Sequence, residues 1–217
     1  MEYGLYFLSR IEWTIHENFV EIKESRFGKG LFAKHKITAG TIICRINLSE
    51  EFDLSKTFQL KSKESHALQI DHDRYVMCPV PFVYANHSCN PNCGITPEFD
   101  MICIRDIQKG EELFWDYSTS MLERAWTMKC ACSDKNCRKI VTDFDLLPQS
   151  VQTRYLELNI VLPFISQYLQ QQLAKTGWVI FVEWWGWFST VNFKRINVSI
   201  NSNKKIAGIK IAIILAW

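Results

Sequence analysis

Residues 86–93 read Asn86-His87-Ser88-Cys89-Asn90-Pro91-Asn92-Cys93, and the rest of the chain is organised around them. Amides, an imidazole and two thiols surround a proline, and an apolar run over 79–85 leads in. Such a stretch is too polar for an ordinary core strand. It is also too rich in liganding atoms for an ordinary turn. Downstream, Cys130-Ala131-Cys132-Ser133-Asp134-Lys135-Asn136-Cys137 sets three thiols in eight residues. Between the two lies Glu111-Glu112-Leu113-Phe114-Trp115-Asp116-Tyr117, a charged turn that runs into an aromatic strand ending in a tyrosine.

Zinc prefers four thiolate or imidazole ligands in a tetrahedron, and C-x-C-x4-C supplies three from one tight loop. Cys89 is the best fourth ligand, with Cys93 as its rival; a Cys130–Cys137 disulfide is the alternative. The loop has little apolar content, so metal would act as its staple. Four protein ligands close the site, which makes the zinc structural. The remaining thiols at 44, 78 and 103 sit in apolar or β-branched runs and read as small buried hydrophobes. Glu2 stands where a secretory leader carries positive charge, and no cleavage site follows, so the expected setting is intracellular and reducing.

The 217 residues suffice for one domain with a good core and a small appendage. A net charge of +2 gives no strong pull toward nucleic acid, and no sequence-specific nucleic-acid partner is expected. That total hides an asymmetry. After Glu183 come five basic residues and no acid, which leaves 20 basic against 23 acidic groups, a net −3, over residues 1–183. A mildly acidic body suits a basic peptide.

Alternation over 20–24 predicts a half-buried strand, and Ser25-Arg26-Phe27-Gly28-Lys29-Gly30 a turn into a second strand at 31–33. Further strands are expected at 41–46, 67–70, 74–78, 101–104 and 113–115. From Pro148 the apolar spacing turns helical, and Pro163 should break or restart it, giving two short helices that end near Gly177. Residues 49–66 read as a polar insert. Residues 178–217 hold five of the eight tryptophans and two apolar runs, neither long enough for a membrane span. The organisation expected is an N-terminal segment (1–17, with Trp13 as an anchor), a β-rich domain (18–118), a cysteine loop (119–140), a helical extension (141–176) and an atypical tail (177–217).

Singly, these motifs are weak. Gly28-Lys29-Gly30 alone is a hairpin turn, Asn86-His87 alone a buried polar pair, and Tyr117 alone a core or rim residue. In their order, Gly28-Lys29-Gly30-Leu31-Phe32-Ala33, Asn86-His87-Ser88-Cys89, Glu111 through Tyr117 and C-x-C-x4-C resemble a SET-domain protein lysine methyltransferase with its post-SET zinc loop. The resemblance covers about residues 18–140. It implies a mainly β fold, a SET-type β-clip of small curved sheets with a knot-like crossing, to which C-terminal helices are added. It implies an S-adenosylmethionine pocket on one face and a lysine channel on the other. By motif, Lys29, Gly30, Tyr84, Asn86, His87 and Tyr117 hold the cofactor, and Tyr117 is the catalytic tyrosine. Cys89, Cys130, Cys132 and Cys137 match the zinc ligands. The implied substrate is a lysine-bearing protein or a histone tail, met by a monomer in the nucleus of a eukaryote or in the cytoplasm otherwise. Two departures stand out: Val83 and Tyr84 replace an arginine–phenylalanine pair, and Trp115 stands where phenylalanine or tyrosine helps set the number of methyl groups added. The first cysteine is Cys44, so no cysteine-rich segment is expected ahead of the domain.

Overall fold

The computed structural model describes residues 18–175, apart from 47, 49–50, 52, 54–65, 79 and 125. The expectations for 1–17, for nearly all of the 49–66 insert and for the 177–217 tail lie outside the described residues.

Small sheets dominate. β1 (Val20–Ser25) and β2 (Gly28–Ala33) form a hairpin whose register runs from Val20↔Ala33 to Ser25↔Gly28. The tight turn between them is possible because Gly28 takes φ 98°. β3 (Ile42–Arg45), β7 (Cys93–Ile95) and β8 (Asp100–Cys103) make a three-stranded antiparallel sheet in the order β3-β8-β7. β4 (Ala67–Asp71) and β5 (Arg74–Met77) make a second hairpin. β10 (Met128–Lys129) and β11 (Ile140–Val141) bracket the cysteine loop.

The remaining pair differs in direction. β6 (Asn86–His87) and β9 (Phe114–Trp115) are parallel, with Asn86 opposite Phe114 and His87 opposite Trp115. Parallel neighbours need a long connection. Here β7 and β8 fill it, so the 86–92 and 112–117 segments come to lie side by side from far apart in the chain. Asn92 fixes the pairing: its Oδ1 accepts from Phe114 N–H at 2.7 Å and its Nδ2 donates to Glu112 O at 2.8 Å.

The sheets share one core. Leu31, Ile37, Ile43, Leu68, Phe82, Ile95, Met101, Ile107 and Leu113 are buried within it. The helices arrive where Pro148 and Pro163 punctuate the sequence: α1 is Gln149–Glu157 and α2 is Pro163–Lys175. Tyr155, Leu156, Ile160, Leu162, Phe164 and Ile165 place them in the same core. Gly94 makes that docking close, since a Cβ there would lie 2.5 Å from Ile160 Cγ2. The β-rich body and the helix pair agree with the sequence reading. The two-residue strands β6, β10 and β11, and β7 itself, were not foreseen.

Candidate functional site

The β1–β2 turn, β6 and the turn before β9 converge. Glu112 sits at their junction. Ser25 Oγ donates to its carboxylate at 2.9 Å and Asn86 Nδ2 at 2.8 Å. Asn86 Nδ2 also donates to Lys29 O at 3.0 Å. Both amide protons are thereby committed, and the capacity left on the Asn86 side chain is its Oδ1 acceptor. Gly30 is needed at this point: a Cβ would stand 2.4 Å from Glu112 Oε1. Lys29 Nζ lies 5.8 Å from the Tyr84 ring centroid. Lys29, Gly30, Tyr84 and Asn86, four residues named from sequence, therefore lie close together, with Glu112 anchoring Asn86 to the β1–β2 hairpin through Ser25.

His87 and Tyr117 adjoin this group. Burial drives the His87 imidazole down to about 4, against the pull of Asp116, so the ring is neutral near pH 7. Its Nδ1 accepts the Tyr117 N–H at 3.3 Å, and its Nε2 lies 3.5 Å from Cys89 Sγ. Those neighbours assign the ring proton to Nε2. The Tyr117 hydroxyl donates to Ala85 O at 3.2 Å, and the Trp115 indole N–H donates to the same carbonyl at 3.1 Å. Trp115 and Tyr117 rings lie 4.8 Å apart, and Trp115 lies 5.2 Å from Phe82. Burial, with Cys78 and Glu112 adding to it, pushes the Tyr117 phenol well above its ordinary range. It is therefore a permanent donor near neutrality and not a phenolate base.

The four thiols foreseen as ligands come together. The Sγ atoms of Cys89, Cys130, Cys132 and Cys137 all lie within 4.8 Å of one another. A zinc tetrahedron with bonds of about 2.3 Å sets its sulfurs roughly 3.8 Å apart; Cys89 and Cys130 stand at 3.7 Å. Backbone N–H groups of Cys132, Arg138 and Lys139 point at the sulfurs of Cys130, Cys89 and Cys137, each at 3.4 Å. Burial raises the Cys130 thiol to about 11. At Cys132 burial also acts to raise, but hydrogen bonds from the backbone of Cys89 and Asp134 and from its sister thiols outweigh it and bring the group down to about 7. The donor set fits a divalent thiophilic cation such as zinc, which would replace protons on these sulfurs. The rival ligand Cys93 lies elsewhere, opposite Cys103 in the β7–β8 pairing.

Sequence reasoning missed several contributors. Glu112 was read only as part of a charged turn. Arg26 reaches from the β1–β2 turn to the cysteine loop, donating to Cys132 O and, at 3.1 Å, to Ser133 Oγ. Arg138 and Tyr155 both donate to Asp116. A buried acid after an aromatic strand was the one signal that could have pointed to such partners.

Comparison with known proteins agrees with this geometry. Residues 28–118 match the SET domain family. Histone-lysine N-methyltransferase trr of Drosophila melanogaster is 32% identical over 146 residues, covering 59% of this chain and 6% of that protein. Histone-lysine N-methyltransferase 2D of Homo sapiens is 32% identical over 149 residues, covering 60% of this chain and 3% of that protein. Probable histone-lysine N-methyltransferase set-23 of Caenorhabditis elegans is 39% identical over 64 residues, 26% of each chain. The chain thus spans a minor part of the length of each of these relatives. The match begins at the Gly28 turn and ends just past Tyr117, so residues 28–118 are a SET domain.

Proposed function

We propose that this chain is an S-adenosylmethionine-dependent methyltransferase acting on a lysine ε-amine of a protein, with a histone tail as the substrate class its relatives' names suggest. The observation that carries the reading is the paired donation of Tyr117 and Trp115 to Ala85 O, directly beside the Asn86–His87 segment. It fixes a protonated phenol in an aromatic enclosure next to a polar, glycine-lined face.

When bound, the cofactor supplies an electrophilic methyl group on a sulfonium. The residues here do the rest. Asn86 Oδ1 offers an acceptor suited to the cofactor's ammonium. Lys29, Gly30 and Tyr84 lie close by, and Gly30 allows close approach. Trp115, Phe82 and Tyr117 exclude water around the reacting amine. Free lysine has a pKa of about 10.4, and transfer requires the neutral amine. Desolvation in an aromatic enclosure lowers that value. Because Tyr117 keeps its proton, it serves by orienting the amine, and water carries the departing proton away. Alignment of this kind contributes up to about 7–11 kcal/mol in favourable cases.

Zinc on Cys89, Cys130, Cys132 and Cys137 would be structural, with no coordination position open to substrate. Among the described residues no helix is long and apolar enough to cross a membrane. A histone substrate fits action in a nucleus if the source is eukaryotic, and in the cytoplasm otherwise. The deciding experiment is isothermal titration of S-adenosylmethionine into zinc-counted protein, followed by transfer of labelled methyl to mixed histones. Binding with methyl incorporation into lysine supports the reading. Binding without transfer to any histone or peptide points instead to a SET-fold binding module, and no binding by folded protein removes both.

A further inference from the structure

The helices lie beyond the SET match, yet they reach its centre. The Tyr155 hydroxyl, in α1, donates to Asp116 Oδ2 at 2.8 Å. Arg138, in the cysteine loop, donates through Nη2 to Asp116 Oδ1 at 2.8 Å and lies 2.7 Å from Oδ2. Ser118 N–H donates to Oδ1 at 3.1 Å. Asp116 and Tyr155 are each only 1% exposed. A carboxylate buried to that degree is tolerable only when its lone pairs are met. Its partners come from three separate stretches of chain: the SET segment, the cysteine loop and α1.

Asp116 immediately precedes Tyr117. It also stands 3.6 Å from His87 Nδ1, the nitrogen that accepts the Tyr117 N–H. Any shift of the Asp116 carboxylate is therefore passed to the Tyr117 backbone from two directions. The linker between the helices grips the same turn, Tyr117–Ser120, a short 3₁₀ helix. Leu162 N–H donates to Thr119 O at 3.3 Å.

We propose that Tyr155, together with Arg138, is a positioning residue for Tyr117, so that the helical extension completes the methyl-transfer site by holding the Asp116 carboxylate. This rests on the methyl-transfer reading above. Tyr155→Phe removes one hydroxyl and keeps the ring that fills the core. In steady-state kinetics on the full chain, with S-adenosylmethionine and mixed histones, Tyr155→Phe should lower kcat roughly tenfold, with KM for S-adenosylmethionine within about twofold and zinc still equimolar. Tyr168→Phe is the control: that hydroxyl, in α2, accepts from Arg124 at 3.3 Å and is not among the Asp116 partners. It should leave kcat unchanged.

A lowered Tm with unchanged kcat in Tyr155→Phe would make the residue a packing element and overturn the proposal. An equal kcat loss in Tyr168→Phe would mean general loosening and overturn it as well. If the wild-type chain neither binds S-adenosylmethionine nor transfers methyl, the methyl-transfer reading fails, and amide hydrogen exchange judges the positioning separately. Tyr155→Phe must then speed exchange at 116–120 and leave β1–β2 unchanged; equal exchange at 116–120 overturns it.

Discussion

Gly30 shows how a single missing atom can decide a site. A methyl group there would stand 2.4 Å from Glu112 Oε1 and 2.9 Å from Ser25 Cβ. Gly30→Ala must therefore move the Glu112 carboxylate, and Asn86 loses the acceptor that fixes its amide. We expect the variant to fold, with S-adenosylmethionine affinity reduced at least about tenfold, as befits the loss of a charge-assisted hydrogen bond; calorimetric titration measures it, and an unchanged Kd would exclude Glu112 from cofactor positioning. Tyr117→Phe removes only the donor to Ala85 O. Cofactor binding should persist while kcat falls by about 100-fold or more, in the range seen when one positioned polar group is lost. A Phe variant with wild-type kcat would take Tyr117 out of the mechanism. Residue identities were legible in the sequence wherever several rare types cluster, as in Asn86-His87-Ser88-Cys89 and C-x-C-x4-C. Glu112, Arg138 and Tyr155 were not. An acid in a turn, a basic residue in a polar loop and a tyrosine on a helix are ordinary, and only three-dimensional convergence singles them out.

Among the elements, periodicity separates what could be read from what could not. Residues 20–24 of β1 alternate in sequence, and α1 and α2 carry a 3.6-residue repeat punctuated by Pro148 and Pro163, whereas Gly28-Lys29-Gly30, read as turn, is the start of β2. Strands of two residues carry no period at all. The β6–β9 pairing is extended on either side, by the Asn92 side chain on Phe114 N–H and by Ser88 N–H donating to Trp115 O at 3.1 Å. β7 was hidden inside the polar stretch that follows Pro91. Its Gly94 is the seat of the helix linker. Gly94→Ala puts a Cβ 2.5 Å from Ile160 Cγ2 and 2.6 Å from Ile160 Cβ, where backbone and side chain have little room to yield. Overpacking of this kind costs about 1–3 kcal/mol. Denaturant unfolding should show that loss, with faster hydrogen exchange in α1 than in the β1–β2 hairpin. Full stability in the variant would mean that the helices ride loosely on the sheet and do not share its core.

Across the whole molecule the cysteine loop is tied to the body at more points than the cluster its three sulfurs form with Cys89. Arg26 reaches out from the β1–β2 turn to Cys132 and Ser133, and Arg138 reaches in from the loop to Asp116. The loop itself contributes only a two-strand ladder, β10 with β11, and few apolar side chains. Such a segment cannot hold its own fold without a cross-link. Its metal content should therefore control structure well beyond residues 130–137. Removal of zinc with a chelator at neutral pH should release one ion per chain and free residues 129–141 for rapid amide exchange. Exchange should also rise at 25–30, through loss of the Arg26 contacts, and at 116–120, through loss of the Arg138 pair. The β3-β8-β7 sheet, buried and distant in sequence from both arginines, should keep its protection. Cys132→Ser should reproduce this pattern without chelator. If the purified chain carries no zinc and its loop is nonetheless protected, the four thiols are held by packing alone and the ligand set is wrong. If zinc leaves and only the loop responds, the two arginines are surface contacts and the methyl-transfer centre stands independent of the metal.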